Sequence, residues 1–355
     1  MRHRELFRSA QLPVLQNKMF RSAAEARNCS KGDMVLVEDT TTGLVHNAAF
    51  DPRLIEYDAD YQNEQACSGV FKQHLDDVSG IVERFFKGQT LVEVGCGKGY
   101  FLEHLQQRGY RVTGVDPAYE GSNPGIIKAQ FEPGLGISGE AVILRHVLEH
   151  VPNPTEFLAS IAQANAGKGS IYIEVPCFDW IYRNRAWYDV FYEHVNYFRP
   201  DDFHRMFGTV HAAGHIFGGQ YLYAVTELGS LRQPTARRDD PVNFPGDFLD
   251  RIDQIVRLQT AGKRNAIWGG ASKGVIFALY MERAGLRIDA VIDINPAKQG
   301  KFLAATGILV SSPEQALATL SPGDNVFVMN SNYLQEIRAQ SGNKFNYLTV
   351  DHNDF

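Results

Sequence analysis

The stretch Leu91-Val92-Glu93-Val94-Gly95-Cys96-Gly97-Lys98-Gly99-Tyr100 constrains this chain more than any other. It has the right sequel in Arg111-Val112-Thr113-Gly114-Val115-Asp116-Pro117, with Asp116 seventeen residues after Gly99. The first segment reads as a buried strand that enters a Gly-rich turn and then a helix. The second reads as the next parallel strand, with a carboxylate at its carboxyl end. Glycines let the backbone approach a ligand closely, and a carboxylate so placed can accept both hydroxyls of a ribose. The pair therefore predicts an α/β fold holding a ribose-bearing cofactor.

The glycine spacing narrows the choice. A dinucleotide fingerprint is G-x-G-x-x-G, whose loop cradles a pyrophosphate. Here the spacing is G-x-G-x-G, preceded by Glu93. An anion beside the loop repels phosphate but suits a cationic amino acid and sulfonium, so S-adenosylmethionine fits better than NAD. Glu93, Gly95, Cys96, Gly97 and Gly99 are the expected methionine-side residues, with Asp116 and Pro117 at the ribose. With these residues the sequence resembles the class I methyltransferases. The match continues through Val142-Ile143-Leu144-Arg145-His146-Val147-Leu148-Glu149-His150-Val151, similar to that family's fourth strand and turn, and Ile171-Tyr172-Ile173-Glu174-Val175-Pro176, similar to its fifth. His146 and His150 flank the cofactor turn, and His146 is expected to line the pocket.

With 355 residues, 44% hydrophobic side chains and a formal charge of -6, the chain can form two or three globular domains with ample core. The start, Met1-Arg2-His3-Arg4-Glu5-Leu6-Phe7-Arg8, has no apolar signal region, and no run approaches the roughly 20 apolar residues of a membrane span. A cytoplasmic location and no membrane partner are expected. Net acidity without a clustered Lys/Arg stripe argues against nucleic acid. Cys29, Cys67, Cys96 and Cys177 lie far apart with no C-x-x-C pair, so neither a disulfide framework nor a zinc site is indicated, and no spacing in the sequence marks a catalytic metal.

Three regions separate along the chain. Residues 1–75 mix short strand-like pieces (Met34–Val37 and Gly43–His46) with polar turns, and include Tyr57-Asp58-Ala59-Asp60-Tyr61, read either as a lid or as packing. Residues 76–230 form the cofactor domain, introduced by a helix near Phe71 to Phe86 whose Val78, Ile81, Val82 and Phe85 fall at helical spacing. The polar, Pro-containing segment from Ser230 to Pro241 reads as a linker. Residues 245–355 form a third domain, opening with an amphipathic helix over Phe248 to Gln259. That domain repeats the strand and Gly-rich turn in Asn265-Ala266-Ile267-Trp268-Gly269-Gly270-Ala271-Ser272-Lys273-Gly274, followed by Ala290-Val291-Ile292-Asp293. Alone these would suggest a dinucleotide site, but the glycine spacing is irregular. The continuation, Asp293-Ile294-Asn295-Pro296-Ala297-Lys298-Gln299-Gly300-Lys301 and then Ser331-Asn332-Tyr333-Leu334-Gln335-Glu336-Ile337, closely resembles the carboxyl-terminal domain of sugar C-methyltransferases acting on nucleotide-linked keto-deoxysugars. The resemblance implies a second Rossmann-like module that closes over a nucleotide-sugar without using NAD, with Lys273 and Asn332 as substrate-binding residues.

The same resemblance accounts for the aromatic run Trp187 to Phe198. The family's Tyr-His-Glu-His-x-x-Tyr-Phe element matches Phe191-Tyr192-Glu193-His194-Val195-Asn196-Tyr197-Phe198. Carbon methylation needs a carbanion equivalent, reached by removing the proton beside a ketone, and histidine is the side chain suited to take it near neutral pH. His194 is the expected base, with Glu193 and Tyr192 or Tyr197 orienting substrate. The sequence departs from the family where its tyrosine is Phe191 and its first histidine is Tyr192, and at Phe217-Gly218-Gly219-Gln220, where the family favours His-Gly-Gly-Ser. It departs again at the amino terminus, where a C-x-x-C-G of the family's zinc module aligns with Asp39-Thr40-Thr41-Thr42-Gly43. That module is read as a degenerate zinc ribbon that has lost its cysteines and folds by its own core. The sequence thus points to an S-adenosylmethionine-dependent C-methyltransferase acting on a nucleotide-linked keto-sugar or similar activated ketone, a small-molecule partner, and leaves oligomeric state open. The alternatives are an O- or N-methyltransferase on the same scaffold, or a non-catalytic binding protein that retained the cofactor fold.

Overall fold

The computed structural model describes residues 3–57, 60–62, 66–237, 239–257 and 262–351. The amino-terminal strands β1 (His3–Pro13) and β2 (Lys31–Asp39) pair antiparallel, and β3 (Val45–Asn47) pairs antiparallel with β2. The turn between β2 and β3 is the segment expected to align with lost thiols. Asp39 holds this turn: its Oδ1 takes the N–H groups of Thr41 (2.7 Å) and Thr42 (3.0 Å), and Gly43 supplies the left-handed conformation at φ +76°.

The helix Gly69–Phe86 begins two residues before the expected position because Ser68 caps it, its Oγ accepting from the N–H groups of Val70 and Phe71. Its buried stripe of Phe71, Leu75, Val78, Val82 and Phe86 packs on the central sheet. That sheet comprises β4 (Thr90–Val94), β5 (Arg111–Val115), β6 (Ile126–Ile127), β7 (Ala141–Arg145) and β8 (Ser170–Pro176), all parallel. The short strand β9 (Asn196–Tyr197) leaves this layer and pairs with β3 at the edge of the amino-terminal sheet. The hairpin β10 (Val210–Ile216) and β11 (Tyr221–Glu227) then returns to the central sheet, β11 running antiparallel to β8. The resulting order, β10-β11-β8-β7-β4-β5-β6, reverses direction of growth between β4 and β7. In an open α/β sheet the crevice at the carboxyl ends of the strands at such a point is where ligands bind.

The third sheet is fully parallel in the order β14-β13-β12-β15-β16, built from β12 (Asn265–Trp268), β13 (Ala290–Ile292), β14 (Val310–Ser311), β15 (Asn325–Val328) and β16 (Asn346–Thr349). Its three central strands, β12, β13 and β15, are buried on both faces, as their largely apolar sequences require. The helix expected over Phe248 to Gln259 is observed as Arg251–Arg257, and Leu258 and Gln259 lie outside the described residues. No helix among the described residues is long and apolar enough to cross a membrane.

One expectation is corrected. The amino-terminal module does not fold on a core of its own. Phe7, Leu12, Met34 and Leu36 belong to one continuous apolar cluster with Trp187, Tyr188 and Tyr192 of the aromatic run and with Val275, Phe277 and Leu279 of the carboxyl-terminal domain. A sheet this small cannot bury enough apolar area alone. Trp187 stacks on Phe277 with ring centroids 5.6 Å apart, and Tyr192 packs on the bare Cα of Gly32, where a Cβ would come within 2.2 Å of the ring.

That last contact is testable. Gly32→Ala must displace the buried Tyr192 ring, and overpacking of this kind typically costs about 1–3 kcal/mol. Urea unfolding of the variant should give a lower midpoint at unchanged slope; an unchanged midpoint would remove the Gly32–Tyr192 contact from the docking of the module.

Candidate functional site

The turn after β4 is shaped by close approaches. Gly95 N–H donates to the Val115 carbonyl (2.8 Å), and Gly97 N–H donates to Asp116 Oδ2 (2.8 Å). Gly95, Gly97 and Gly99 have φ of +73°, +55° and +83°. A Cβ on Gly95 would meet Val147 at 2.2 Å, whereas one on Gly97 would meet nothing within 4 Å, so the Gly97 face is open to a ligand. Glu93 lines the adjoining cavity at 3% exposure and its Oε2 has no hydrogen-bond partner among the described residues. Burial pushes its carboxyl up to about 8. A buried carboxylate oxygen awaiting a partner beside an open glycine cradle fits a ligand that brings a cationic group, as S-adenosylmethionine does.

The cavity reaches Glu93, Gly95, Cys96, Gly97 and His146 of the expected set. Gly99, Asp116 and Pro117 lie outside its lining. Gly99 starts the helix Tyr100–Gln107 in a left-handed conformation where a Cβ would strike Ile126 at 2.5 Å. Asp116 braces the turn, accepting from Gly97 and from Ala118 (2.8 Å), and each carboxylate oxygen keeps a lone pair at the end of β5.

Under the cavity floor, fully buried Glu174 gathers Arg145 Nε (3.0 Å), His146 Nε2 (3.0 Å), His74 Nε2 (2.9 Å) and the Tyr172 hydroxyl (2.9 Å). Burial alone would raise the Glu174 carboxyl, but Arg145 and the two histidines outweigh it and hold it well below the usual range. His146 shows the same competition with the opposite sign. Burial would depress it, while its bonds to Glu149 and Glu174 push it up to about 9. It is therefore an imidazolium at neutral pH, which explains why a residue with φ +52° is held where it is.

The aromatic run presents His194 to the cavity. Its ring meets the edges of His150 and Phe191, each with centroids 4.8 Å away, and neither ring nitrogen has a hydrogen bond among the described residues. Burial, then the nearby His150, His146 and Lys273, hold its pKa well below 6.5, so the imidazole is neutral with a free lone pair. Glu193 turns the other way. Its Oε1 accepts from Gln16 N–H (3.0 Å) and its Oε2 from the Tyr61 hydroxyl (2.7 Å), while its carbonyl accepts from His150 Nδ1 (3.1 Å).

The two tyrosines expected to orient substrate do not reach the cavity. The Tyr192 hydroxyl accepts from Asp51 N–H (2.8 Å) with its ring stacked on Phe50, and the Tyr197 hydroxyl donates to the Phe191 carbonyl (3.0 Å). Both rings are buried because the run alternates between the cavity and the shared core. Tyr61, Tyr100, Tyr221 and Tyr333 line the cavity instead, and of these Tyr61 is the one bonded to Glu193, with Asn17 beside it. Sequence reasoning noted Tyr61 only as part of a lid-like cluster, whose Asp58 and Ala59 lie outside the described residues.

The carboxyl-terminal domain supplies the opposite wall. Lys273 lines it, ion-paired with Asp189 (3.0 Å), bonded to Gln220 Oε1 (2.8 Å) and placed over the Trp180 ring. Asn332 does not line it: its Nδ2 donates to the Phe217 carbonyl (2.9 Å), tying this domain to the β10–β11 turn. Asn330 takes the cavity position instead, in a double bond with the Gln220 amide (2.9 Å each way). Folding also assembles a group that sequence spacing did not mark. Ligand atoms of Glu149, His150 and His194 lie within 4.8 Å of one another at the cavity wall. Sequence spacing did not mark this group because its members come from the β7 turn and the aromatic run, which are far apart in sequence.

Residues 63–213 match the family described as a methyltransferase domain, and residues 249–347 match the C-methyltransferase C-terminal domain. The chain is 27% identical over 321 residues to the C-methyltransferase NovU of Streptomyces niveus, covering 78% of this chain and 75% of that protein. It is 26% identical over 113 residues to the ubiquinone biosynthesis O-methyltransferase of Caulobacter vibrioides, covering 27% of this chain and 44% of that one. A crystal structure of the Burkholderia thailandensis 1,6-didemethyltoxoflavin-N1-methyltransferase with bound S-adenosylhomocysteine aligns with a TM-score of 0.32 at 14% identity, over 44% of this chain and 77% of that one. Together, the two family matches and the long alignment to NovU, falling on the sheet and cavity described above, identify the chain as an S-adenosylmethionine-dependent enzyme, a class I methyltransferase that carries a C-methyltransferase C-terminal domain.

Proposed function

We propose that this enzyme methylates a carbon beside the ketone of a nucleotide-linked keto-sugar, with His194 as the base. The observation that carries the reading is His194: a neutral imidazole with no hydrogen-bond partner, facing a cavity lined at one end by Glu93 and at the other by Lys273. His194 is half-buried, so its ring nitrogens are open to a ligand in the cavity. Similarity to NovU, a C-methyltransferase, and the matching C-terminal domain support carbon as the acceptor.

The cofactor supplies an electrophilic methyl group. Glu93 and the Gly95–Gly97 turn would hold its methionine end and Asp116 its ribose. The chain's own residues do the rest. His194 Nδ1 or Nε2 takes the proton alpha to the ketone, leaving an enolate whose carbon is the nucleophile. Its low pKa keeps the base form populated, and the imidazolium it becomes is relieved once that proton moves on. Glu193 is a positioning residue: with both oxygens committed to Gln16 and Tyr61, it fixes the phenol of Tyr61 at the cavity, where the Tyr61 oxygen can accept from a substrate hydroxyl. Tyr61 thereby supplies the phenol that Phe191 lacks. The amino-terminal module, on this reading a zinc ribbon that dispensed with zinc, serves the site by carrying Gln16 and Tyr61. The helix Lys273–Arg283 points its amino terminus at the cavity, a place suited to the diphosphate of a nucleotide carrier.

Substitutions, isotope exchange and pH dependence test this. Asp116→Ala should weaken S-adenosylmethionine binding by about 1.5–3 kcal/mol, the worth of hydrogen bonds to a charged group, read by calorimetry; an unchanged dissociation constant removes Asp116 from the site. Tyr192→Phe should cost about 0.5–1.5 kcal/mol of stability with turnover near wild type, while Tyr61→Phe should lower turnover; the reverse pattern would return the substrate phenol to Tyr192. His194→Asn should cost about 10²–10⁴-fold in turnover. Wild-type enzyme given a nucleoside-diphosphate-linked 4-keto-6-deoxyhexose and S-adenosylhomocysteine in D₂O should wash deuterium into the carbon that is methylated, and the variant should not. Because the folded His194 is depressed and works unprotonated, the acid limb of wild-type kcat/KM should fall below pH 6.5. Undiminished exchange in the variant would place the base elsewhere.

A further inference from the structure

The Glu149, His150 and His194 group has the make-up of a metal site rather than of a chance cluster. Two imidazoles and one carboxylate converge on one point of the cavity wall, with their ligand atoms within 4.8 Å of one another. Each of the three residues also keeps an atom that the surrounding bonds leave over. Glu149 is 1% exposed, and its Oε1 is bonded to His146 Nδ1 (3.3 Å), while its Oε2 has no partner among the described residues. His150 Nδ1 lies 3.1 Å from the Glu193 carbonyl, which can only accept, so Nδ1 carries the hydrogen and Nε2 carries the lone pair. His194 has no hydrogen bond at all among the described residues. Metal-bound imidazoles almost always donate their other N–H to a carbonyl or carboxylate, and bound carboxylates are in turn hydrogen-bonded. That outer layer is already in place for His150 and for Glu149.

We infer that Glu149, His150 and His194 form a site for one divalent transition metal, zinc foremost, whose binding takes the base away from catalysis. Two imidazoles with one carboxylate favour the zinc and cobalt class over magnesium or calcium, which prefer all-oxygen sites. Three protein ligands leave a coordination position open toward the cavity. The same His194 lone pair cannot hold a metal and accept a substrate proton. Occupation therefore inhibits, and removal of the metal restores turnover. This inhibitory consequence rests on the proposed role of His194; the site itself does not.

The test separates the two. Metal-free enzyme is titrated with Co²⁺ and followed by its visible d–d absorption, with Zn²⁺ as competitor; one equivalent should bind. Glu149→Gln and His150→Asn should each weaken binding at least about 10-fold, the loss that even an outer-layer partner can cause. Circular dichroism and S-adenosylmethionine binding check that each variant is folded, and having two variants covers the failure of one. Methyl transfer to the keto-sugar acceptor is then measured against Zn²⁺. Each protein is normalised to its own metal-free rate, and inhibition should weaken in each variant by the same factor as binding. Absence of binding, or binding unmoved by both substitutions, overturns the site. Binding that responds to them while Zn²⁺ raises turnover keeps the site but overturns both the inhibition and the assignment of His194 as base.

Discussion

The carboxylate of Glu193 is the contact on which the rest of this molecule turns. It is fully buried, and burial raises its pKa, so it is tolerable only because each oxygen is met by a donor. Those donors come from the amino-terminal module, from Gln16 and Tyr61, and not from the central domain that carries Glu193. Just after it the chain is stitched to other layers: β9 pairs with β3, and Asn196 Nδ2 donates to the carbonyls of Leu148 (3.1 Å) and Val151 (2.6 Å) at the end of the β7 turn. The segment that presents His194 is thus held by three parts of the chain at once. Removing the amino-terminal module would leave a buried charge without partners, a more severe loss than exposing an apolar edge.

A second buried charge system sets the electrostatics of the cavity. Glu174 sits between Arg145, His146 and His74, and the cationic His146 passes the influence on to Glu149. Arg145 and His146 are balanced by Glu174 and Glu149, while Glu93 stays unpaired nearby with its carboxyl pushed up to about 8. A cation entering beside Glu93 would favour its ionised form and so relieve the cost of burying it. On the far wall Lys273 is balanced by Asp189 (3.0 Å). Much of this wall's charge is paired in advance, which limits how far side chains must reorganise when a ligand enters.

Much of this was legible in the sequence where chemistry and backbone geometry coincide. The Gly95–Gly99 spacing with Glu93 and Asp116 located the cofactor turn, because only glycine takes those positive φ values cheaply. The element around Glu193 and His194, matched through its resemblance to the family's motif, marked a histidine that does line the cavity. What was not legible was orientation. A phenol at 192 and one at 197 look equivalent on paper, yet the tertiary register sends both into the core and brings in Tyr61 from more than a hundred residues away. Asn332 and Asn330 were separated by the same kind of fact: a two-residue offset at the end of β15 decides which amide meets the cavity. The Glu149, His150 and His194 group was invisible for a related reason, since no local spacing encodes a meeting between two distant turns.

The two Gly-rich turns of the chain make the point most sharply, because they share a backbone device and differ in what it can hold. Gly97 N–H donates to Asp116 Oδ2 at 2.8 Å, and Gly270 N–H donates to Asp293 Oδ2 at 2.8 Å. Asp116 has no cationic partner among the described residues, so its remaining lone pairs are free for hydroxyl groups. Asp293 lines the cavity but is already charge-paired: Lys298 sits 3.3 Å from Oδ2, and Asn295 N–H donates to Oδ1 at 2.8 Å. The turn above it is also tighter, since a Cβ on Gly274 would come within 1.9 Å of the Gly269 carbonyl. Ser272 is bound to the amino-terminal module through Gln16 and Asn17, at φ +44°. A pyrophosphate-bridged dinucleotide needs an unclaimed carboxylate and a loop free to wrap the phosphates. The second turn offers no carboxylate free of a cation, so what it contributes is a wall with Lys273 at the start of a helix whose amino terminus faces the cavity.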